Sequence, residues 1–306
     1  MKLTTTVILA VCFVACSSSE PRKILVPINS NVSLTQTRAP SIVLKEPIVD
    51  TGSPICPHDM VFVSGEYCSK PNHDQSQYDE TGIGDPQCEI WMEKPCDQGG
   101  THPSCMFARC KKYKATSSMC LGETVHKEFC MDKIEYTNPG DLLPLTMSDP
   151  LRHNEPVNFT HAEKVCAENG KRLCYETEFE FACQGEENFP YSTGYERPDL
   201  ICNIDIEKDI GGPGDRMRKD LLVPSGSLKD CKSPFGIYDL NGNADEITIR
   251  DRSPAPSNSK ETGKHKNALK GGHYAPVRNR CHPTTTAHDD GYYNTVTTFR
   301  CCTDPK

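Results

Sequence analysis

The sequence predicts an α+β domain of short strands and two helices, stiffened by disulfides rather than by a large oily core. Three observations carry that expectation. Apolar residues make up only 36% of the 306-residue chain, and aromatic residues 7%. The chain carries 18 cysteines, about three times the usual frequency. Only two segments have clear helix signals, and they stand among short strand-like runs broken by Gly and Pro, which argues against a parallel βαβ sheet.

The elements follow in order along the chain. Residues 1–16 read as a secretory signal, with Lys2 as the charged start and Val7–Ala15 as a short apolar run. Its end, Val14-Ala15-Cys16 before Ser17-Ser18-Ser19, resembles a bacterial lipoprotein signal, so Cys16 is expected to carry the lipid anchor. Residues 17–55 are polar with scattered prolines and read as a tether. The folded domain spans 56–306 and opens with a strand over Asp59–Glu66. Residues 68–121 carry six cysteines among Asp, Gln, Pro and Gly and read as a loop-rich, bridged embellishment. Thr160–Glu163 and Thr177–Glu180 each match a helix capping box, with Gly170 and Gly185 as stops. Along the second helix, Phe179, Ala182 and Cys183 share the apolar face. The last strand is expected over Thr295–Cys302.

Charge and cysteine count narrow the function class. A net charge of −8 argues against a nucleic-acid partner, whose phosphates need a basic surface. No apolar run reaches the ~18 residues of a spanning helix. With Cys12 lost in the signal and Cys16 lipidated, sixteen of the 18 cysteines remain, an even number suited to bridges in an oxidising compartment. The pairing is not readable from spacing, although adjacent Cys301 and Cys302 should bond to different partners. Cys105 and Cys110 have a tolerable zinc spacing, but no second ligand pair completes a site.

Several segments in one order resemble a known family. They are Met60–Val63, Phe129–Asn138, Pro156–Phe159, Gly170–Ala182, Phe235–Asn243, Lys270-Gly271-Gly272 and Thr298-Phe299-Arg300. Together they look like the formylglycine-generating enzyme, or sulfatase-modifying factor, domain over about residues 59–302. The resemblance implies a complex α+β fold akin to a C-type lectin core. It also implies a Cu(I) site of two cysteines after the Gly-Gly pair, which activates dioxygen and oxidises a sulfatase cysteine to formylglycine. Counted from Gly271-Gly272, those positions are Pro276 and Cys281. Proline has no donor atom, so Cu+ is not expected, and Cys281 is catalytic only if the domain is active. Cys281 is instead expected to pair with Cys301 or Cys302. His273 and His282 are the nearby imidazoles that copper would have to recruit.

The resemblance further implies structural Ca2+ held by Asp239, Gly242, Ala244 and Glu246, a mixture of carboxylates and carbonyls suited to a hard cation. An EF-hand is excluded, because Ala244 and Arg250 stand where it needs Gly and Glu. Asp245 departs from the family, which usually has Trp there. Asn203 and Ile204 match the start of a second calcium site. Arg278, Arg280 and Arg300 are candidates for an anion pocket, and His288-Asp289-Asp290 reads as a polar loop. The expected protein is an exported lipoprotein of the periplasm, outer membrane or cell surface. It meets the membrane through its anchor and binds a protein or other envelope ligand without copper chemistry. The alternatives are an active oxidase with altered ligands, or an iron-dependent relative; the histidine pair of an iron-binding partner domain is absent.

Overall fold

The computed structural model describes residues 55–74, 85–92, 109–146, 156–206, 219–252 and 265–306. Every described residue lies in the compact unit Asp50–Lys306. The expected signal, Cys16, Cys96, Cys105 and nearly all of the tether lie outside the described residues.

In chain order the elements are β1 (Met60–Cys68), β2 (Cys88–Trp91), β3 (Cys110–Tyr113), β4 (Thr124–Asp132), α1 (Phe159–Glu168), β5 (Arg172–Leu173), α2 (Glu176–Gln184), β6 (Asp245–Ile249), β7 (Asn267–Lys270), β8 (Thr297–Phe299) and β9 (Cys301–Thr303). One sheet has the order β1-β4-β9-β5, a second β7-β6-β8, and β2 pairs with β3. β1 and β4 pair antiparallel along their whole length, from Met60 opposite Asp132 to Cys68 opposite Thr124. Among the described strands, β6 and β8 run parallel and the other pairs antiparallel.

Two buried clusters make most of the core. Val63, Tyr67, Phe129 and Met131 from β1 and β4 pack on Phe179, Phe181 and Ala182 of α2. Phe159, Ala162 and Cys166 of α1 pack with Leu173, Ile247, Leu269 and Phe299. Both elements expected as helices are present, and both start earlier than their capping boxes suggest. Asn158 caps α1, its side chain accepting from His161 N at 3.0 Å. At α2 the Glu178 carboxylate reaches back to Tyr175 N at 2.9 Å, while Thr177 turns to Asp251. An Asn in extended backbone just ahead of the helix satisfies an orphan N–H as well as Thr160 would.

The expected last strand is two strands. β8 belongs to the β6 sheet and β9 to the β4 sheet. The break falls at Arg300, whose fully buried side chain turns in to Glu246.

Seven disulfides join described residues: 56–130, 68–120, 88–110, 166–301, 174–302, 183–281 and 202–231. They close loops of 22 to 135 residues, each worth about 3–5 kcal/mol in the chain-entropy account. That many bridges belong to an oxidising compartment. No helix among the described residues is long and apolar enough to cross a membrane.

Cys301 and Cys302 do take different partners, but Cys281 pairs with neither; it bonds to Cys183. The reason lies in the sheets. β9 sits between β4 and β5, which directs Cys302 to Cys174 and Cys301 to α1. β7, which leads into Gly271-Gly272, is separated from β8 by β6. The segment after the glycines therefore meets α2 instead.

Candidate functional site: the segment after the double glycine and its buried charges

Gly271 and Gly272 both have positive φ, 80° and 74°. A Cβ on Gly271 would sit 2.9 Å from Leu240 O, and one on Gly272 2.7 Å from Asn279 Nδ2. The double glycine thus turns the chain where no side chain fits. Asn279 closes the following loop, donating to His273 O at 2.6 Å and accepting from Val277 N at 3.2 Å. Pro276 is buried inside this loop. Cys281 is fully buried and its sulfur is bonded to Cys183.

A two-thiolate copper site does not fit these residues. Pro276 offers no donor and Cys281 no free thiolate. The imidazoles nearby are engaged as well. His273 Nδ1 accepts from Ala275 N at 3.2 Å. His282 Nδ1 lies 3.2 Å from Asp74 Oδ2, and its Nε2 is hydrogen-bonded to Gln184 Oε1.

What surrounds the bridge is a buried ionic network centred on α2. Every residue of this helix is buried, including Glu176, Glu178, Glu180 and Gln184. Glu180 Oε1 accepts from Lys270 Nζ at 2.7 Å and lies 3.2 Å from Arg252 Nη1, and its Oε2 accepts from Tyr67 OH at 2.5 Å. Lys270 Nζ also donates to His282 O and Thr284 Oγ1, at 2.6 and 2.9 Å. Thr284 in turn donates to Glu176 at 2.6 Å, and Arg252 pairs with Asp74 at 2.5 Å. Burial raises the Glu180 carboxyl, but the charges of Arg252, Lys270 and His282 outweigh it and hold the group below its ordinary value. Burial, then the neighbouring His282, pushes His73 well below the ordinary histidine value, so it is neutral. Its Nε2 bonds to Asn188 O at 3.2 Å, and its Nδ1 is buried without a hydrogen-bond partner.

The calcium candidates fall together in a different part of the fold. Asn203 and Ile204 lie against Gly242 (φ 91°), where a Cβ would meet Asn203 O at 2.4 Å. Asn203 Nδ2 donates to Asn243 Oδ1 at 2.9 Å, and Asn243 N to Asn203 O at 2.9 Å. The two segments expected to bind separate calcium ions are thus stitched directly to each other. Glu246 is held by Arg300 through both oxygens, at 2.5 Å each. Asp239 accepts from Gly226 N at 2.6 Å through Oδ2, and its Oδ1 is buried without a partner. That orphaned oxygen fits a cation; the clamped Glu246 does not. Ala244 N donates to Glu135, a residue the sequence reading did not single out.

The three candidate anion-binding arginines are dispersed. Arg278 pairs with Asp245, Arg280 donates to Tyr113 OH at 2.6 Å, and Arg300 holds Glu246. The acid at 245 is therefore matched by a cation where the family has an aromatic ring. The 288–290 segment is structural. Asp290 accepts from Lys266 N and Asn267 N at 2.9 Å, and His288 stacks on Tyr292. Cys174, Glu178 and Cys302 bring ligand atoms within 4.8 Å of one another. However, the two sulfurs are bonded to each other, and Glu178 is bound by both Arg172 guanidinium nitrogens.

The sequence reading missed Tyr67, Asp74, Glu180 and Arg252 as members of the network. They are far apart in the chain and match no spacing rule. The one local hint was three acids inside a helix otherwise lined with Phe, Ala and Cys.

Comparison with known proteins accords with this architecture. Residues 121–305 match the family model described as sulfatase-modifying factor enzyme 1-like domain. The chain is similar in fold to PvdO from Pseudomonas aeruginosa, at 14% identity over 80% of this chain and 94% of that one, with a TM-score of 0.44. It is also similar to CarF, at 14% identity over 81% and 98%, with a TM-score of 0.42. A third similar structure is Treponema denticola variable protein 1, at 13% identity over 60% and 87%, with a TM-score of 0.40. None of the curated proteins compared matches the chain. The family match begins after the cysteine-rich embellishment and takes in both helices and β4 to β9. Because that match spans more than half of the chain, the protein belongs to the sulfatase-modifying factor enzyme 1-like family.

Proposed function

We propose that this protein is an exported, lipid-anchored family member whose domain has no copper chemistry and acts as a binding or structural module at the cell envelope. The observation that carries the reading is the Cys183–Cys281 bridge beside Pro276. The one cysteine at a copper position is consumed in a disulfide, and its expected mate is a proline. A soft Cu(I) ion needs thiolates, and a disulfide sulfur is not one. The lysine and acid groups around the bridge are engaged with one another, which supports a scaffold rather than a thiol-based oxidase. The seven bridges support export, and the Val14-Ala15-Cys16 signal supports an anchor at Cys16.

Copper-dependent oxidation of a synthetic sulfatase peptide tests this. The oxidised chain supplied with Cu(I) and dioxygen is expected to give no formylglycine and to bind no stoichiometric copper. Turnover that disappears in Cys281→Ser would establish the rival reading, an active formylglycine-generating oxidase with altered ligands.

A further inference from the structure

One of the seven bridges between described residues differs from the rest in access. In the other six, every cysteine is at most 8% exposed. In Cys68–Cys120, Cys68 is 2% exposed, but Cys120 is open to solvent. Its neighbours are open too: Met119 is 56% and Leu121 53% exposed. The polar atoms nearest the Cys120 sulfur are Gly122 O at 3.6 Å and Thr124 Oγ1 at 3.9 Å, both on exposed residues. The bridge clamps the neck of the cysteine-rich embellishment. Beyond the ends of β1 and β4 the two chain segments stay paired. Ser69 N donates to Glu123 O, Leu121 N to Lys70 O, Asn72 N to Met119 O and His73 N to Ser117 O, at 2.8–3.0 Å. The neck then delivers Asp74 to Arg252 in the buried ionic network. Both cysteines lie ahead of residue 121, where the family match begins, so the bridge stands outside the shared family pattern. An exposed disulfide is the labile kind, because exchange needs a thiolate to reach one of its sulfurs.

We propose that Cys68–Cys120 is a thiol–disulfide exchange site, opened at Cys120 by an external dithiol of the thioredoxin type while the buried bridges stay closed. One thiolate of the dithiol attacks Cys120 Sγ. The Cys68–Cys120 bond breaks, and Cys68 leaves as a thiolate that takes up a proton. The second thiol of the reductant, as thiolate, then attacks the mixed disulfide at Cys120 and releases that thiol. Two electrons pass from the dithiol to the bridge, and the reductant ends as a disulfide. The bridge closes a loop with a sequence separation of 52, so its opening removes a constraint on the whole embellishment. The neck then rests on its backbone hydrogen bonds and on Asp74 alone. The inference does not depend on the copper-free reading, since neither cysteine stands at a copper position.

The test treats the full, oxidised chain with dithiothreitol under native conditions, quenches samples in time by alkylation, and reads each cysteine by peptide mass spectrometry. Cys68 and Cys120 should become alkylated about tenfold or more faster than the cysteines of the other six bridges. Glutathione, a monothiol that stops at the mixed disulfide, identifies the sulfur attacked. Its adduct should sit on Cys120, with Cys68 alkylated. The selectively opened, alkylated chain should still unfold cooperatively, with Tm lowered by about 5–10 °C. The double variant Cys68→Ser, Cys120→Ser should show the same Tm. If that variant does not fold, the alkylation rates and the glutathione adduct still decide the matter. Opening of any of the other six bridges as fast as Cys68–Cys120 overturns the proposal. So does an adduct found mainly on Cys68, or a Tm unchanged by selective opening.

Discussion

Lys270→Met is expected to lower the unfolding free energy by about 3–5 kcal/mol, because it strands Glu180 in the interior. The Lys270 ammonium and the Glu180 carboxylate are both fully buried, 2.7 Å apart. Methionine matches the length of the lysine stem, so packing changes little and the effect is electrostatic. Lys270 also satisfies His282 O and Thr284 Oγ1, which lose a donor. Arg252, 3.2 Å from the same carboxylate, remains and should hold the loss toward the lower end of the range. Denaturant titration reads it as a fall in midpoint at constant slope. Adding Glu180→Gln should restore part of the loss, since a neutral amide still accepts from Tyr67.

The same site predicts a pH signature. The folded-state value of Glu180 is depressed. Its contribution is therefore complete above about pH 4.5, the unfolded value, and is lost as pH falls through the lower folded value. Without Lys270 the folded value rises, so acid unfolding of the variant should begin at higher pH than in the parent. Coincident acid transitions for the two proteins would show that Lys270 does not stabilise the charged carboxylate.

Arg300→Met is expected to cost a similar amount, about 3–5 kcal/mol, by a different route. Arg300 stands between β8 and β9, where the chain leaves one sheet for the other. Its guanidinium grips Glu246 in β6 and the carbonyls of Asp132 and Tyr238, so one side chain ties both sheets to the turn before Asn241. Arg300→Lys keeps the charge but not the planar fork, and should recover only part of the stability. Cooperative thermal unfolding measures both variants. An Arg300→Met protein with the parent's Tm would show that the buried pair contributes nothing net.

The cysteine excess and the low apolar content both pointed to a bridged, loop-rich α+β domain, and that is what the chain forms. These properties are legible because they are sums over the whole chain or patterns within a few residues. The two helices were legible for the same reason, through Phe179, Ala182 and Cys183 on one face and through the glycine stops. Pro276 was legible too, since one residue type forbids a ligand wherever it falls. The partner of Cys281 was not legible. It depended on β6 separating β7 from β8, a fact of sheet order that no local spacing encodes.

The candidate sites divide along the same line. The sequence by itself determined the family pattern, the oxidising-compartment chemistry of its cysteines and the proline where the resemblance implies a second copper thiol. Only the tertiary structure decided that the acids of α2 face inward, because Lys270 and Arg252, some 70 to 90 residues away in sequence, arrive to neutralise Glu180. It also decided that Glu246 is spent on Arg300 and that Asp239 keeps an open oxygen. Buried charge is tolerated only where a partner meets it, and partners this far apart in sequence become visible only when the fold brings them together.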